Sequence, residues 1–358
     1  MGNRAMDAID SVIEDAIRAT VFPGAVVLVT HEGIVRKQAA YGHAVLYRTL
    51  KERRPDPIPT TTTTIFDLAS LTKVVATTTA VLQLVEAGRV DLDGPAWTYL
   101  LGFGRVGKRA ITVRHLLTHT SGLPAIRDFY KRLLGWSEIV DAVERTRPVG
   151  RPSAQVVYSD LGFIALGALV VAVTSEALDD YTNTHILRPL GMQDTLYRPP
   201  PSLRPRIAAT EDQPVRGLVW GEVHDENARA MGGVSGHAGL FGTAADLGVF
   251  CTMLLEGGSQ RAVRIVQPAT LQEMFTVQTG LLTPSHGLGW RCNEPSFMGT
   301  LASPRTFGHT GFTGTSIVLD LERWLSVILL TNRVHPTRHG PDLAPVRAAL
   351  ADAAASLQ

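Results

Sequence analysis

The chain has 358 residues, of which 45% are hydrophobic and 19% are charged, and its formal net charge is +1. This composition is typical of a globular protein and excludes disordered and fibrous classes. A net charge near zero gives no electrostatic reason to expect nucleic acid or an acidic membrane surface as a partner. The length favours roughly two domains.

Along the chain, a first helical pattern is followed by a predicted hairpin whose strands begin at Gly24 and Ile34. Residues 50–64 are rich in proline and threonine and are predicted to be irregular. Glycine and proline then divide a mostly helical middle, and the tail alternates between helical and β-rich patterns. Helices are predicted at 70–87, 112–119, 125–145, 160–173, 177–187, 244–256 and 341–356, a loop-rich stretch at 196–240, and strands at 306–311, 315–320 and 324–331.

Strand patterns therefore occur at both ends of the chain, and helices fill the middle. This order favours one sheet built from the two ends, with a helical domain inserted between them. We predict an α/β sheet domain from residues 1–65 and 240–358, and a mostly helical domain from residues 66–239.

Three further features limit where the protein acts. Cys251 and Cys292 are too few for a disulfide framework and lack the spacing of a zinc site, so both are predicted to be buried small hydrophobic residues. The N-terminus shows no apolar signal region. The longest apolar run, Leu161 to Val173, is shorter than the ~20 residues of a membrane span. We expect no membrane span and a cytoplasmic location, or a periplasmic one if a leader has been removed.

The first candidate for chemistry is Ser70, which has Lys73 three residues later. Residues three apart share a helix face, so the Lys73 ammonium could reach the Ser70 hydroxyl and activate it as a nucleophile. Ser70 is also predicted to open its helix, where free N–H groups and the helix dipole favour negative charge. An N-cap serine with a surface lysine would leave the same pattern.

The second candidate is the segment Tyr158-Ser159-Asp160, at the start of the predicted helix 160–173. A tyrosine beside an ammonium group could serve as a general base, and Asp160 could hold Lys73 or contact a substrate amide. A simple helix cap by Ser159 or Asp160 is the alternative.

The third candidate is His309-Thr310-Gly311, followed by Phe312, on a predicted strand. Gly311 would allow a substrate backbone to approach the strand closely. The N–H of Phe312, together with that of Ser70, could form an oxyanion hole. A loop histidine in a glycine-rich turn is the alternative.

The three motifs in this order resemble those of the penicillin-recognising serine hydrolases: class C β-lactamases, D-alanyl-D-alanine carboxypeptidases, D-aminopeptidases and family VIII-type esterases. The resemblance runs from about residue 20 to 335. It includes the segments 66–73, 84–93, 111–124, 158–163, 186–195 and 236–247. It implies the β-lactamase/transpeptidase-like α/β (α+β) fold, with an antiparallel sheet flanked by helices, an inserted all-helical domain, and the site in the cleft between them.

By this resemblance Ser70 is the nucleophile, Lys73 its activating partner and Tyr158 the base, while Asp160, His309, Thr310 and Gly311 contact the substrate. Two departures matter. Asp160 stands where the family has asparagine, and its charge would raise the pKa of Lys73, which favours Tyr158 as the base. His309 stands where lysine is common, so a permanent cation becomes a group that is only partly charged at neutral pH.

Other motifs carry less weight. Residues 102–107 match a dinucleotide fingerprint, but no strand precedes them. His115 and His119 are four apart, yet no carboxylate completes a metal site, so capping or core packing is expected. His224 and His237 could line the cleft or belong to ordinary loops. We expect neither a metal nor another cofactor.

The sequence thus predicts a serine hydrolase that cleaves a carboxylic ester or amide through a Ser70 acyl-enzyme, with oxyanion stabilisation by the Ser70 and Phe312 N–H groups. The expected partner is a small-molecule ester, amide or β-lactam. An esterase-like or D-amino-acid peptidase-like activity is favoured, with weak β-lactam hydrolysis. The alternatives are a covalent penicillin-binding sensor and an acyl transferase. The oligomeric state is not predicted.

Overall fold

The computed structural model describes residues 2–357. Its strands are β1 (Gly24–His31), β2 (Ile34–Thr49), β3 (Glu52–Pro59), β4 (Phe66–Asp67), β5 (Leu196–Tyr197), β6 (Asp212–Gln213), β7 (Gly217–Leu218), β8 (Leu240–Gly242), β9 (Ser259–Gln260), β10 (Val263–Arg264), β11 (Arg291–Cys292), β12 (Thr306–Thr310), β13 (Ser316–Asp320) and β14 (Leu325–Thr331).

The α-helices are α1 (Gly2–Arg18), α2 (Thr79–Glu86), α3 (Val113–Leu117), α4 (Trp136–Arg145), α5 (Asp160–Thr174), α6 (Leu178–Thr182), α7 (Arg188–Leu190), α8 (Glu226–Ala230), α9 (Ala244–Leu255), α10 (Pro268–Met274), α11 (Pro295–Met298) and α12 (Ala344–Ala354). Two π-helical segments, Lys73–Thr78 and Asn183–Leu187, run directly into α2 and α7. Short 3₁₀ turns lie at Ala96–Thr98, Phe129–Lys131, Pro201–Arg206 and Gly299–Leu301.

The main sheet has seven antiparallel strands in the order β11-β12-β13-β14-β1-β2-β3. The two ends of the chain meet at its centre, where β1 pairs with β14 and Val27 lies opposite Leu329. Helices flank this sheet. The predicted antiparallel α/β fold is therefore confirmed, whereas the predicted domain boundaries stay a prediction.

Alternating side chains of β1 fill two hydrophobic cores. Val27 and Val29 pack in one core with Ile13 of α1 and Leu350 of α12. Val26 and Leu28 face the other core, which contains α2, α5 and α9. Because both faces of the sheet are covered, its central strands read as continuous apolar runs rather than as polar alternation.

Two predicted elements were wrong. Residues 50–64 are not wholly irregular, because β2 continues to Thr49 and β3 pairs with it along the outer edge of the sheet, where prolines are tolerated. The predicted helix 125–145 begins only at Trp136. In the preceding segment Asn227 accepts a hydrogen bond from Tyr130 N at 3.0 Å and donates one to Arg127 O at 2.8 Å, so these backbone groups are satisfied without a helix.

Both cysteines are buried and free, as predicted. Among residues 2–357, no single helix has the length and apolar character to cross a bilayer. Helix α5 and the segment Leu178–Leu190 have that length and apolar character only when they are taken together. The two are bent by 81° against each other.

Candidate active site

Ser70 lies at a sharp turn between β4 and the helix that begins at Leu71. Ala69, just before it, has φ of 47°, which is an uncommon backbone conformation for a residue with a side chain. The buried Asp67 carboxylate supports this turn by accepting hydrogen bonds from Ala69 N at 2.9 Å and His224 N at 2.7 Å. Burial raises the pKa of Asp67, although the two N–H donors oppose that rise.

Lys73 is fully buried beneath Ser70 and directs its three ammonium protons at three acceptors. Its Nζ lies 2.9 Å from Ser70 Oγ, 2.8 Å from Asp160 Oδ1 and 3.2 Å from His237 O. Burial alone lowers the pKa of Lys73, but the nearby Asp160 and Tyr158 oxygens outweigh burial and raise that pKa above its ordinary value. Lys73 is therefore an ammonium ion at neutral pH.

Tyr158 sits among cations and histidine rings at the opening of α5. Its ring centre lies 4.7 Å from Lys73 Nζ and 5.8 Å from the Arg291 guanidinium. The ring packs on His119, with centroids 4.4 Å apart, and approaches His309 at 5.9 Å. These contacts hold the phenol beside the serine–lysine pair.

His119 holds the tyrosine segment in place. Its Nδ1 accepts a hydrogen bond from Ser159 N at 3.0 Å, and its carbonyl accepts one from Val157 N at 2.8 Å. Ser159 caps α5 through a bond from Gly162 N, so the cap role and the Asp160–Lys73 contact occur together.

His115 completes a capping box with Thr112 at α3, as expected. Within residues 2–357 no group of His, Cys, Asp or Glu side chains is arranged to hold a metal ion.

The charge of His309 differs from the sequence-based prediction of a partly charged imidazole. Its Nδ1 donates to Thr310 O at 2.9 Å, and its buried Nε2 has no hydrogen-bond partner in the described chain. Burial and the charges of Lys73 and Arg291 hold the pKa of His309 well below its usual range. His309 is therefore neutral at pH 7, because protonating it would place a third cation in a buried site.

Gly311 has a packing role, and its predicted role in the approach of a substrate stays a prediction. A Cβ atom at this position would lie 2.7 Å from Leu68 O and would press on the side chain of Thr315. Glycine thus allows the end of β12 to pack against the turn that carries Ser70. The N–H groups of Ser70 and Phe312 have no protein acceptor within residues 2–357.

These residues surround one cleft of about 390 Å³. Of the predicted residues, all but Lys73 line the cleft wall: Ser70, Tyr158, Asp160, His309, Thr310, Gly311 and Phe312. His224 and His237 line it as well. His224 bonds Glu211 at 3.0 Å and His237 bonds Asp225 at 2.9 Å. Burial disfavours charge on Asp225, but His237 holds the pKa of that carboxyl well below its usual range.

Sequence reasoning missed an arginine cluster in the cleft, formed by Arg291, Arg333 and Arg347. Within residues 2–357 none of the three forms an ion pair with a carboxylate, whereas Arg347 donates to Gly311 O and Thr315 O. Burial, followed by the charge of Arg333, lowers the pKa of Arg347 to about 10. The three residues lie 42 and 14 positions apart in the sequence and form no recognisable motif, so their proximity depends on the fold.

Comparison with known proteins gives a consistent result. Residues 9–352 match the family described as Beta-lactamase. A protein of Escherichia coli O157:H7 named "Putative D-alanyl-D-alanine carboxypeptidase" is 33% identical over 357 residues, covering 90% of this chain and 81% of that protein.

Among solved structures, "EstCE1, a hydrolase with promiscuous acyltransferase activity" superposes with a TM-score of 0.77, 24% identity and 99% coverage of both chains. A class C beta lactamase from Rhodobacter sphaeroides gives a TM-score of 0.74 at 21% identity, covering 96% of this chain and 98% of that one. The two structures share the fold seen here. On the match of its sequence over nearly its whole length, the chain belongs to the beta-lactamase family of serine hydrolases.

Proposed function

We propose that this protein hydrolyses carboxylic esters or amides by double displacement through an acyl-enzyme on Ser70. The contact between Lys73 Nζ and Ser70 Oγ, 2.9 Å apart in a buried setting, is the observation that carries the proposal. This contact orients the Ser70 hydroxyl and favours its loss of a proton to a neighbouring base, which activates the serine for attack on a carbonyl carbon. Water then releases the acyl group in the second displacement.

Tyr158 is the proposed base, and Lys73 is a fixed cation. All three Lys73 protons are engaged, so its nitrogen has no lone pair to accept the Ser70 proton. The Lys73 ammonium and the Arg291 guanidinium lie 4.7 and 5.8 Å from the centre of the Tyr158 ring, so two cations adjoin the proposed base. In this mechanism the base is the phenolate form of Tyr158, which takes the Ser70 proton during attack and, as the phenol, gives that proton to the leaving group.

The tetrahedral oxyanion is held by the N–H groups of Ser70 and Phe312. Both donors are free of protein acceptors in the described chain and belong to turns that Gly311 packs together. Donors fixed in place before the reaction stabilise the developing charge without reorganisation, and removing one typically costs about 10²–10³-fold in kcat.

The substrate carries an anionic group near the scissile bond. Within residues 2–357 the three guanidinium groups of the arginine cluster form no ion pair with a carboxylate, and guanidinium groups match carboxylates in charge and geometry. A peptide that ends in a free carboxylate fits this site, and the name of the Escherichia coli relative supports a peptidase-like substrate. β-Lactam hydrolysis is proposed as a weak secondary activity, because His309 is neutral where the family often has lysine.

Transfer of the acyl group to an alcohol or amine is the second candidate. The structural neighbour EstCE1, a hydrolase with promiscuous acyltransferase activity, supports this candidate. Transfer differs from hydrolysis only in the nucleophile that attacks the acyl-enzyme.

The test is steady-state and single-turnover kinetics with a p-nitrophenyl ester, nitrocefin and a D-alanyl-D-alanine peptide. We expect turnover in the wild type, loss of turnover in Ser70→Ala, and no change in Ser202→Ala, which alters an exposed serine. Unchanged rates in Ser70→Ala would refute the mechanism. A burst of one equivalent without turnover would identify a covalent sensor, and faster release by an added alcohol would identify an acyl transferase.

A further inference from the structure

A second cavity of about 490 Å³ lies beside the catalytic cleft. Most of the surface that it exposes is apolar, contributed by Tyr130, Leu134, Pro214, Val215 and Ala230. Leu134 is 79% exposed and Val215 is 97% exposed. Large apolar side chains this exposed, grouped around one cavity, are typical of a binding surface.

The cavity adjoins the catalytic cleft, because Glu226 and Arg338 line both. Arg338 contacts Glu226 at 2.5 Å and Glu211 at 2.6 Å. Its guanidinium also lies 5.7 Å from the ring centre of Phe312, which lines the cleft. The two spaces therefore share a wall of mutually neutralised charges.

One segment of the chain contributes apolar side chains to both spaces. Ile126, which is 54% exposed, lines the cleft, whereas Tyr130 and Leu134 of the same segment line the second cavity. Asn227 fixes this segment through its bonds to Arg127 and Tyr130. Apolar side chains of this segment therefore line both the cleft that contains Ser70 and the second cavity.

The remaining charged groups of the cavity are paired with one another or with close neighbours. Glu222 accepts from Arg216 at 3.1 Å and from Arg229 at 3.3 Å, and Glu211 and Glu226 bind Arg338. Paired charges offer little to an ionic ligand, whereas the exposed carbon surface gains free energy when an apolar group covers it.

We propose that the second cavity binds the apolar acyl chain of the substrate, so that the protein acts on esters or amides of medium- and long-chain carboxylic acids. This inference rests on the proposed function, since it places the acyl carbonyl at Ser70. The arginine cluster then faces the leaving group, and the substrate is amphipathic.

The experiment compares kcat/KM for p-nitrophenyl acetate and p-nitrophenyl decanoate in the wild type and in Val215→Asp and Leu134→Ser. Because each buried methylene is worth about 0.8 kcal/mol, or roughly a fourfold change, we expect decanoate esters to be favoured by tenfold or more. Each variant should lose about fivefold or more on decanoate and keep its acetate rate. Leu101→Ser and Leu281→Ser alter exposed leucines outside this cavity and should change neither rate.

Equal rates on the two esters in the wild type, or equal losses on both in the variants, would overturn the inference while leaving Ser70 catalysis intact. A calorimetric titration of decanoate into Ser70→Ala, with and without Val215→Asp, tests the cavity without turnover. Binding weakened about fivefold or more by Val215→Asp supports the proposal, and binding unaffected by that change contradicts it. Absence of ester turnover in the wild type would instead count against the proposed function.

Discussion

At the scale of single residues, the pairing of Asp160 with Lys73 decides how protons move in the site. The carboxylate lies 2.8 Å from the ammonium and is among the causes that raise the pKa of Lys73. In the proposed mechanism a lysine in this state orients Ser70 and does not act as a neutral base.

Replacing Asp160 with asparagine tests this assignment. In Asp160→Asn the pKa of Lys73 falls, since burial is then opposed by less negative charge. If the reaction needs the Lys73 cation, the alkaline limb of the kcat/KM profile moves to lower pH, by about one to three units. The measurement is the pH dependence of kcat/KM, with Asp180→Asn, an exposed carboxylate of α6, as control. If the acidic limb of the kcat/KM profile moves instead, the result would show that neutral Lys73 is the base.

Much of the candidate site was predictable from sequence at this scale. Ser70 and Lys73 share one helix face, so their spacing alone predicts a contact. Tyr158 and His309 were found through the order of the motifs. Asp67 and the arginine cluster were missed, because their roles depend on tertiary contacts, and the neutral state of His309 depends on burial that a sequence does not display.

At the scale of elements, the end of β12 and the turn before Ser70 behave as one unit. Thr313 Oγ1 donates to Asp67 O at 2.7 Å, and Thr315 Oγ1 donates to Leu68 O at 3.0 Å. These bonds join the β12–β13 connection, which contains Phe312, to the turn that carries Ser70.

Gly311→Ala should disturb this unit. The added Cβ would lie 2.7 Å from Leu68 O, so the strand or the turn must shift. We expect a stability loss of about 1–3 kcal/mol, typical of overpacking, and a fall in kcat of more than tenfold. Urea unfolding and ester kinetics measure both effects. Gly150→Ala is the matched control, because its Cβ would meet no atom closer than 3.6 Å, and normal activity in Gly311→Ala would contradict the account.

The elements themselves were predictable where hydrophobic periodicity was strong. The predicted helices 160–173 and 244–256 are found as Asp160–Thr174 and Ala244–Leu255. The predicted elements were wrong where contacts with distant residues, rather than the local amino-acid composition, determined the structure. Strand β3 forms in a proline-rich segment because β2 extends to receive it, and residues 125–135 are held by Asn227, which is distant in sequence.

At the scale of the whole molecule, buried histidines connect the site to global stability. His119, His286, His309 and His335 are all buried, and burial lowers the pKa of each. The pKa values of His286 and His335 fall to about 4. The unfolded chain therefore binds more protons than the folded one between pH 6.5 and 4.

The free energy of unfolding should consequently decrease as the pH falls through this window, because protonation favours the unfolded chain. Each fully titrating histidine contributes about 1.4 kcal/mol per pH unit. Urea unfolding at several pH values measures the slope. His286→Gln should make the slope smaller by about one proton, and His339→Gln, at an exposed position, should leave it unchanged. A stability that is flat between pH 6.5 and 4.5 would contradict the burial of these rings.

The central claim, an acyl-enzyme on Ser70, is tested most directly by intact-mass measurement and peptide mapping after rapid acid quench of a reaction with p-nitrophenyl decanoate. We predict one acyl group per chain, located on the peptide that contains Ser70 and absent from Ser70→Ala. Turnover without a covalent adduct, or an adduct on another residue that persists in Ser70→Ala, would contradict it.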